Sequence, residues 1–107
     1  MTKEVTPQEL YANVILEWGI AAQVDMAIEE CSELINALEK YRRGRVSEKE
    51  VITEIADVMI MCEQMAFIFG EEAVEEEKHF KLDRLLKRLL EHLKQKGNAP
   101  TTPPVSA

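Results

Sequence analysis

The sequence predicts an all-α fold of four helices, on two observations. Helix start and stop signals divide most of the chain into four segments, and no segment alternates apolar and polar residues with the period of two that marks a half-buried strand. The composition agrees, because aromatic residues make up only 6% of the 107 residues and there are only 4 Gly and 4 Pro. Such a composition is typical of helical proteins and not of β-sandwiches or barrels.

The first helix is predicted to run from Pro7 to about Trp18. Thr6 has the character of an N-cap, Pro7 suits the first helical position, and Glu9 completes a capping box. Gly19 follows the last predicted residue of this helix.

The second and third helices are predicted for residues 21–43 and 48–69. Gly44 supplies a C-terminal stop for the second helix, since glycine adopts the left-handed conformation that commonly ends helices. Ser47 and Glu50 form a second capping box and open the third helix, which ends before a glycine.

The fourth helix begins in the acidic run 71–77, where negative charge suits a helix N-terminus, and its basic end meets Gly97. We therefore expect one helical domain over residues 1–96. The remaining segment, 97–107, is polar and rich in proline, and we expect it to be a disordered tail.

The second half of the third helix predicts an assembly of several chains. At about 100° per residue, its apolar side chains point in nearly every direction, so the helix should be buried on all sides. Three other helices in so short a chain can hardly surround it. We therefore expect a four-helix bundle completed by homo-oligomerisation, as a homodimer or a dimer-of-dimers tetramer. The fourth helix adds a stripe with coiled-coil spacing, although such stripes are more often packing faces than partner sites. The leucines of this stripe are Leu82, Leu86, Leu89 and Leu93.

Charge and cysteine content limit the partners. The net charge of −7 repels nucleic acid and anionic membranes, and no apolar run reaches the roughly 20 residues of a membrane span. Neither partner is therefore expected. Cys31 and Cys62 lie in apolar helical patterns and provide no disulfide framework, which indicates reduced thiols and a cytoplasmic protein.

Four carboxylates interrupt apolar helix faces. Glu30 and Glu33 in the second helix, and Glu54 and Asp57 in the third, are each spaced three residues apart and so point to one side. Burying such groups without a partner costs several kcal/mol or more, and acids that face one another also repel. A divalent cation removes both penalties. Because the ligands are hard oxygens without His or Cys, we expect Mg²⁺, with Mn²⁺ as the alternative.

Two other interpretations of the acids remain. Basic side chains of the fourth helix could neutralise them, which would make the chain a non-enzymatic oligomerisation and interaction module. A di-iron site would need two Glu-x-x-His motifs, and only Glu76 and His79 provide one, in an acid-rich segment where a single match is close to chance.

The acids and their surroundings resemble the MazG-like all-α nucleoside triphosphate pyrophosphohydrolases. EExxE at 29–33 followed by ExxD at 54–57 is similar to the signature of that family. The surrounding sequence, over about residues 13–70, also resembles the sequences of that family. The resemblance implies hydrolysis of a (d)NTP to (d)NMP and pyrophosphate, with a metal-activated water attacking the α-phosphorus. By the same resemblance, Glu30, Glu33, Glu54 and Asp57 are the metal ligands. Glu29 matches the first acid of the motif, and orients water or supports the ligands.

The substrate contacts are expected from two regions. In the resembled family, a Lys and an Arg from the following helix touch the phosphates, which points to Lys81 and Arg84. Many relatives carry an Asn close to that Lys, whereas this chain has Asp83 nearby. The alternative is surface ion pairing of the same residues. Trp18 could stack a base while Gln23 hydrogen-bonds it, or Trp18 could instead be an apolar anchor at the corner of the first two helices.

Overall fold

The computed structural model describes residues 4–97 and contains four α-helices in that range, with no β-strand among them. The helices are α1 (Pro7–Trp18), α2 (Ile20–Arg42), α3 (Glu48–Phe69) and α4 (Glu71–Gln95). The prediction of an all-α, four-helix chain is therefore confirmed for this part of the sequence. Most of the predicted tail, from 98 to 107, lies outside the described residues.

α1 begins and ends as its sequence signals predict. The Thr6 hydroxyl oxygen accepts a hydrogen bond from the Glu9 backbone N–H at 3.1 Å, and the same hydroxyl donates to Glu9 Oε1 at 3.1 Å. At the other end, Gly19 has φ +87° and its N–H donates to the Ile15 carbonyl at 2.8 Å. A positive φ of this kind strains any residue with a Cβ, so glycine suits the corner into α2.

The loop from α2 to α3 contains a Schellman motif. The Gly44 N–H donates to the Tyr41 carbonyl and the Arg45 N–H donates to the Lys40 carbonyl, both at 2.9 Å, while Gly44 has φ +70°. These two bonds satisfy carbonyls at the end of α2 that the helix itself leaves free. Gly44 therefore ends α2 as predicted, with the last helical residue at Arg42.

The predicted second capping box is wrong in its side-chain detail. α3 begins at Glu48 as expected, but the Ser47 side chain makes no capping hydrogen bond. The Glu50 N–H, which that side chain would satisfy, donates instead to the Ser47 backbone carbonyl at 3.2 Å. The main chain therefore replaces the hydroxyl as the partner of this N–H group.

α2 and α3 pack against each other as an antiparallel helical hairpin, and α1 contacts both. The buried Tyr11 of α1 donates its hydroxyl to Glu63 Oε1 of α3 at 2.6 Å. This bond joins positions that are far apart in the sequence and ties the short first helix to the hairpin.

The buried core of the described chain is small for its apolar content. Only Tyr11, Ala37 and Met61 are buried hydrophobic residues, and they are accompanied by buried Gln23 and Gln64. The apolar side chains of α3 that were expected to be buried on all sides are mostly half-buried or exposed within one chain, with Met59 58% and Phe69 69% exposed. Both cysteines are exposed as well.

The chain divides into two compact units. The first extends to Glu71 and contains α1, α2 and α3, and the second begins at Glu72 and contains α4. No residue of α4 is buried. The prediction of a single domain over 1–96 stays a prediction. Among residues 4–97, no helix is both long enough and apolar enough to span a membrane.

Candidate metal centre

The antiparallel hairpin brings three of the predicted acids together. Glu30 and Glu33 lie one turn apart on α2, and Glu54 lies on the facing side of α3. Each of the three offers a carboxylate oxygen, and these oxygens all lie within 4.8 Å of one another. We call Glu30, Glu33 and Glu54 the acidic triad.

Two members of the acidic triad carry buried oxygens without a hydrogen-bond partner. These are Oε2 of Glu30 and Oε2 of Glu54, in residues that are half-buried, while Glu33 is exposed. Among residues 4–71, no Lys, Arg or His side chain lies at ion-pair distance from any of the three. A buried carboxylate oxygen is normally paired or bound to a cation, so these oxygens mark the triad as incomplete by itself.

The electrostatics of the triad agree with this geometry. Burial raises the pKa of Glu30 above its ordinary value, and the charges of Glu33, Asp57 and Glu54 raise it further. Burial is also the largest cause of the raised pKa of Glu54, followed by the charges of Glu33 and Asp57. Both causes disfavour the ionised form. A divalent cation would reverse the effect of the neighbouring charges.

The donor set suits a hard divalent cation. All three ligand groups are carboxylates, and no His or Cys joins them among the described residues. Mg²⁺ is commonly held by one or two protein carboxylates, with the remaining positions open to water and substrate phosphates. The residues present therefore fit Mg²⁺, or Mn²⁺ by the same chemistry, better than zinc.

The other two predicted acids lie beside the triad. Asp57 is half-buried on α3 and is not a member of the group within 4.8 Å, but its charge acts on both Glu30 and Glu54. Glu29 is exposed and faces a different feature, a cleft of about 520 Å³. Asp57 as a ligand and Glu29 as a supporting residue stay predictions.

That cleft also holds both residues predicted to bind a base. It is lined by Val14, Trp18, Ala22, Gln23, Asp25, Met26 and Glu29. Gln23 is buried, whereas Trp18 at the end of α1 is 65% exposed. Trp18 is therefore not a buried anchor at the α1–α2 corner. The volume lies within the range of about 300–1,000 Å³ that is usual for small-molecule sites.

The two residues predicted to bind phosphate belong to α4, in the second unit. Lys81 and Arg84 are both exposed, and the Arg84 guanidinium lies 6.0 Å from the centroid of the Phe80 ring. The nearby Asp83 forms an ion pair with Lys87 at 3.3 Å. Phosphate binding by Lys81 and Arg84 stays a prediction.

Two buried polar features escaped the sequence analysis. Besides the Tyr11–Glu63 bond, Gln64 is buried on α3, with its Nε2 donating to Met61 Sδ at 3.8 Å and its Oε1 without a partner. The position of Gln64 could have been predicted from the sequence. It follows Glu54, Asp57 and Met61 at spacings of three and four residues. That spacing places Gln64 on the same helix face as the acids.

Comparison of the chain with known protein families, with curated proteins and with solved structures finds no significant match.

Proposed function

We propose that this chain is a Mg²⁺-dependent nucleotide pyrophosphohydrolase of MazG-like type, which cleaves a (d)NTP to the (d)NMP and pyrophosphate. The observation that carries the proposal is the acidic triad, with its oxygens within 4.8 Å and two of its carboxylates holding a buried, unpartnered oxygen. The alternative, a non-enzymatic interaction module, would need basic residues of α4 such as Lys81 and Arg84 as partners for these carboxylates.

Glu30, Glu33 and Glu54 would hold the cation, with Asp57 close enough to contribute its charge. Bound Mg²⁺ would neutralise triphosphate charge and lower the pKa of a coordinated water. The hairpin holds the carboxylates together before substrate arrives, because α2 and α3 pack against each other along their length. Such preorganisation is what lets charged groups assist phosphoryl chemistry.

The reaction needs an in-line attack and a proton acceptor. A bond forms between the water oxygen and the α-phosphorus, and the bond from the α-phosphorus to the oxygen that bridges it to the β-phosphorus breaks. Pyrophosphate is the leaving group, and the proton of the attacking water passes to a carboxylate. The candidates for that role are Glu29 and Asp57, the two predicted acids that lie outside the triad and so stay free of the cation.

The cleft beside the triad is the proposed site for the nucleoside. Its lining is largely apolar, which suits stacking of a base on Trp18, and the buried Gln23 amide supplies hydrogen-bonding groups. Glu29 lines the same cleft, so the nucleoside site and the triad are neighbours along α2. Lys81 and Arg84 are proposed to contact the phosphates.

A second copy of the chain is proposed to complete the α2–α3 hairpin. Two apolar stripes with spacings of three and four residues remain open on it. The α3 stripe is Ile52, Ile55, Met59, Cys62, Ala66 and Phe69, and the α2 stripe is Val24, Ile28, Cys31, Ile35 and Leu38. Ile28 and Ile52 are each 62% exposed in the single chain. Covering both stripes would bury the apolar surface that the small core leaves open, and would give a homodimer or a dimer of dimers.

Product analysis tests the proposed reaction. A panel of common NTPs and dNTPs is incubated with the chain in Mg²⁺ and in EDTA, beside Glu54→Gln and the matched control Glu48→Gln, which removes the charge of an exposed acid at the start of α3. We expect monophosphate and pyrophosphate from the wild type and the control, and neither product with EDTA or Glu54→Gln. Diphosphate with phosphate would place cleavage at the wrong bond and overturn the proposal. Absence of turnover in every sample would favour the interaction module.

A further inference from the structure

The unit formed by α4 has one strongly apolar side. Six leucines share an arc of about 140° around the helix axis. These residues are Leu82, Leu85, Leu86, Leu89, Leu90 and Leu93. Leu82, Leu85 and Leu86 are each at least 51% exposed, and the remaining three are not buried either. The opposite side carries charged residues such as Arg84, Arg88 and Glu91.

The leucines are arranged as a palindrome along the helix. In the stretch LDRLLKRLLEHL, residues 82–93, every leucine has a counterpart at the same distance from the midpoint between Lys87 and Arg88. Leu82 mirrors Leu93, Leu85 mirrors Leu90, and Leu86 mirrors Leu89. A two-fold axis through that midpoint would therefore set each leucine of one helix level with a leucine of a second, antiparallel copy. Self-complementarity of this kind is what a two-fold symmetric interface requires.

The charges of α4 distinguish an antiparallel from a parallel pair. The helix begins with five glutamates, which are Glu71, Glu72, Glu75, Glu76 and Glu77. A parallel pair in register would place this run beside its own copy, and like charges at that distance repel. An antiparallel pair about the leucine midpoint separates the two acidic runs by about 27 residues of helix, or about 40 Å, which is several Debye lengths at physiological salt.

We propose that α4 is an interaction surface for a second copy of this chain, whose α4 docks antiparallel along the leucine face. The leucines at 82, 86, 89 and 93 form the central seam with coiled-coil spacing, and those at 85 and 90 widen it on either side. This interface is distinct from the one proposed on the α2–α3 hairpin and does not depend on the proposed hydrolysis. Two different two-fold interfaces in one chain assemble a closed dimer of dimers when their two-fold axes intersect at right angles.

The mass of the full-length chain in solution, measured by sedimentation, tests the proposal. Leu86→Ser with Leu89→Ser removes the centre of the seam. Arg88→Ser with Glu91→Ser is the matched control, since it changes two residues at the same spacing on the charged side and leaves the net charge unaltered. We expect the leucine pair variant to have half the mass of the wild type and the control to keep it. An unchanged mass for the leucine variant would overturn the proposal, as would a wild type that is monomeric.

Cross-linking tests the orientation and does not require the seam to be destroyed. In a Cys31→Ser, Cys62→Ser background, Leu82→Cys and Leu93→Cys variants are oxidised separately and as a mixture. We expect an intermolecular disulfide only in the mixture, because the antiparallel pair sets position 82 level with position 93 of the second copy. A disulfide between two chains that both carry Leu82→Cys would show a parallel pair and overturn the proposal. No disulfide in any sample would mean that α4 packs elsewhere, with the same consequence.

Discussion

Glu30 of α2 and Glu54 of α3 present carboxylate oxygens within 4.8 Å of one another, and each also holds a buried Oε2 without a hydrogen-bond partner. The two residues are on different helices and meet only because the hairpin is antiparallel. Their charges repel, and burial makes the repulsion harder to screen. A cation between them would stabilise the pair.

Mg²⁺ should raise the melting temperature of the chain. A ligand that binds only the folded state at ten times its Kd adds about 1.4 kcal/mol to the free energy of unfolding. For a domain of this size that corresponds to a shift of roughly 5–10 °C. Differential scanning fluorimetry in EDTA and in millimolar Mg²⁺ measures the shift. Glu54→Gln should lose this shift and Glu48→Gln should keep it. A wild-type melting temperature that is the same in EDTA and in Mg²⁺ would count against the metal centre.

The metal-free chain should gain stability from the acidic triad as the pH falls. The pKa of Glu54 is raised in the folded chain above its ordinary value of 4.5. The contribution of its protonation to the free energy of unfolding is therefore fully present below pH 4.5. The contribution is lost as the pH rises through the raised folded pKa. Melting temperatures in EDTA across this window should therefore decline more steeply with pH for the wild type than for Glu54→Gln, whose amide does not titrate. Equal slopes for the two proteins would contradict the electrostatics of the triad.

Removing the Tyr11 hydroxyl should destabilise the α1–α3 unit. Its 2.6 Å bond to Glu63 has a carboxylate acceptor, and loss of such a bond costs about 1–2 kcal/mol when the acceptor stays hydrated. Urea unfolding of Tyr11→Phe measures the loss. The control is Tyr41→Phe, which removes the hydroxyl of a tyrosine that is 45% exposed. Because the bond raises the pKa of Tyr11 to about 12, the difference between wild type and Tyr11→Phe should persist to about pH 10 and vanish as the pH passes 12.

Trp18 should report nucleotide binding. It is the one tryptophan of the sequence and lies in the cleft proposed for the nucleoside, so its fluorescence should change when a non-hydrolysable triphosphate and Mg²⁺ are added. Base stacking on an aromatic side chain contributes about 1–3 kcal/mol, so Trp18→Ala should raise KM at least fivefold with a smaller effect on kcat. Leu16→Ala, at a residue of α1 that is 84% exposed, is the control. Unchanged fluorescence at saturating nucleotide would place the nucleoside elsewhere.

A charge on the open stripe of α3 should prevent the proposed pairing of hairpins. Met59 is 58% exposed, and Met59→Glu would place a carboxylate within the apolar surface that a second copy would cover. Light scattering should then give a lower mass than for the wild type. Thr53→Glu introduces the same charge at an exposed position off the stripe and should leave the mass unchanged. Equal masses for both variants would contradict an interface on this face.

Local signals in the sequence were sufficient to predict where the helices begin and end. Thr6 with Glu9, and the glycines at 19, 44 and 70, set the helix ends within one residue of their predicted places, because capping is decided by a few neighbouring groups. Ser47 is the exception, since a backbone carbonyl competed successfully for the N–H that its side chain was expected to bind.

The candidate site was only partly accessible from the sequence. The three-residue spacing placed Glu30 beside Glu33, but it could not show that Glu54 completes the acidic triad while Asp57 stays just outside it. That difference depends on the relative rotation and offset of α2 and α3, which follow from how the two helices pack against each other. The cleft that joins Trp18 to Gln23 likewise depends on the corner at Gly19.

The sequence by itself determined the all-α class, the ends of the helices and the faces on which the acids lie, because these follow from interactions within a few residues. Only the tertiary structure decided which acids meet, which of their oxygens lose contact with water, and that Tyr11 binds Glu63. Those outcomes join residues twenty to fifty positions apart, and they depend on how whole helices pack, which no short stretch of sequence specifies.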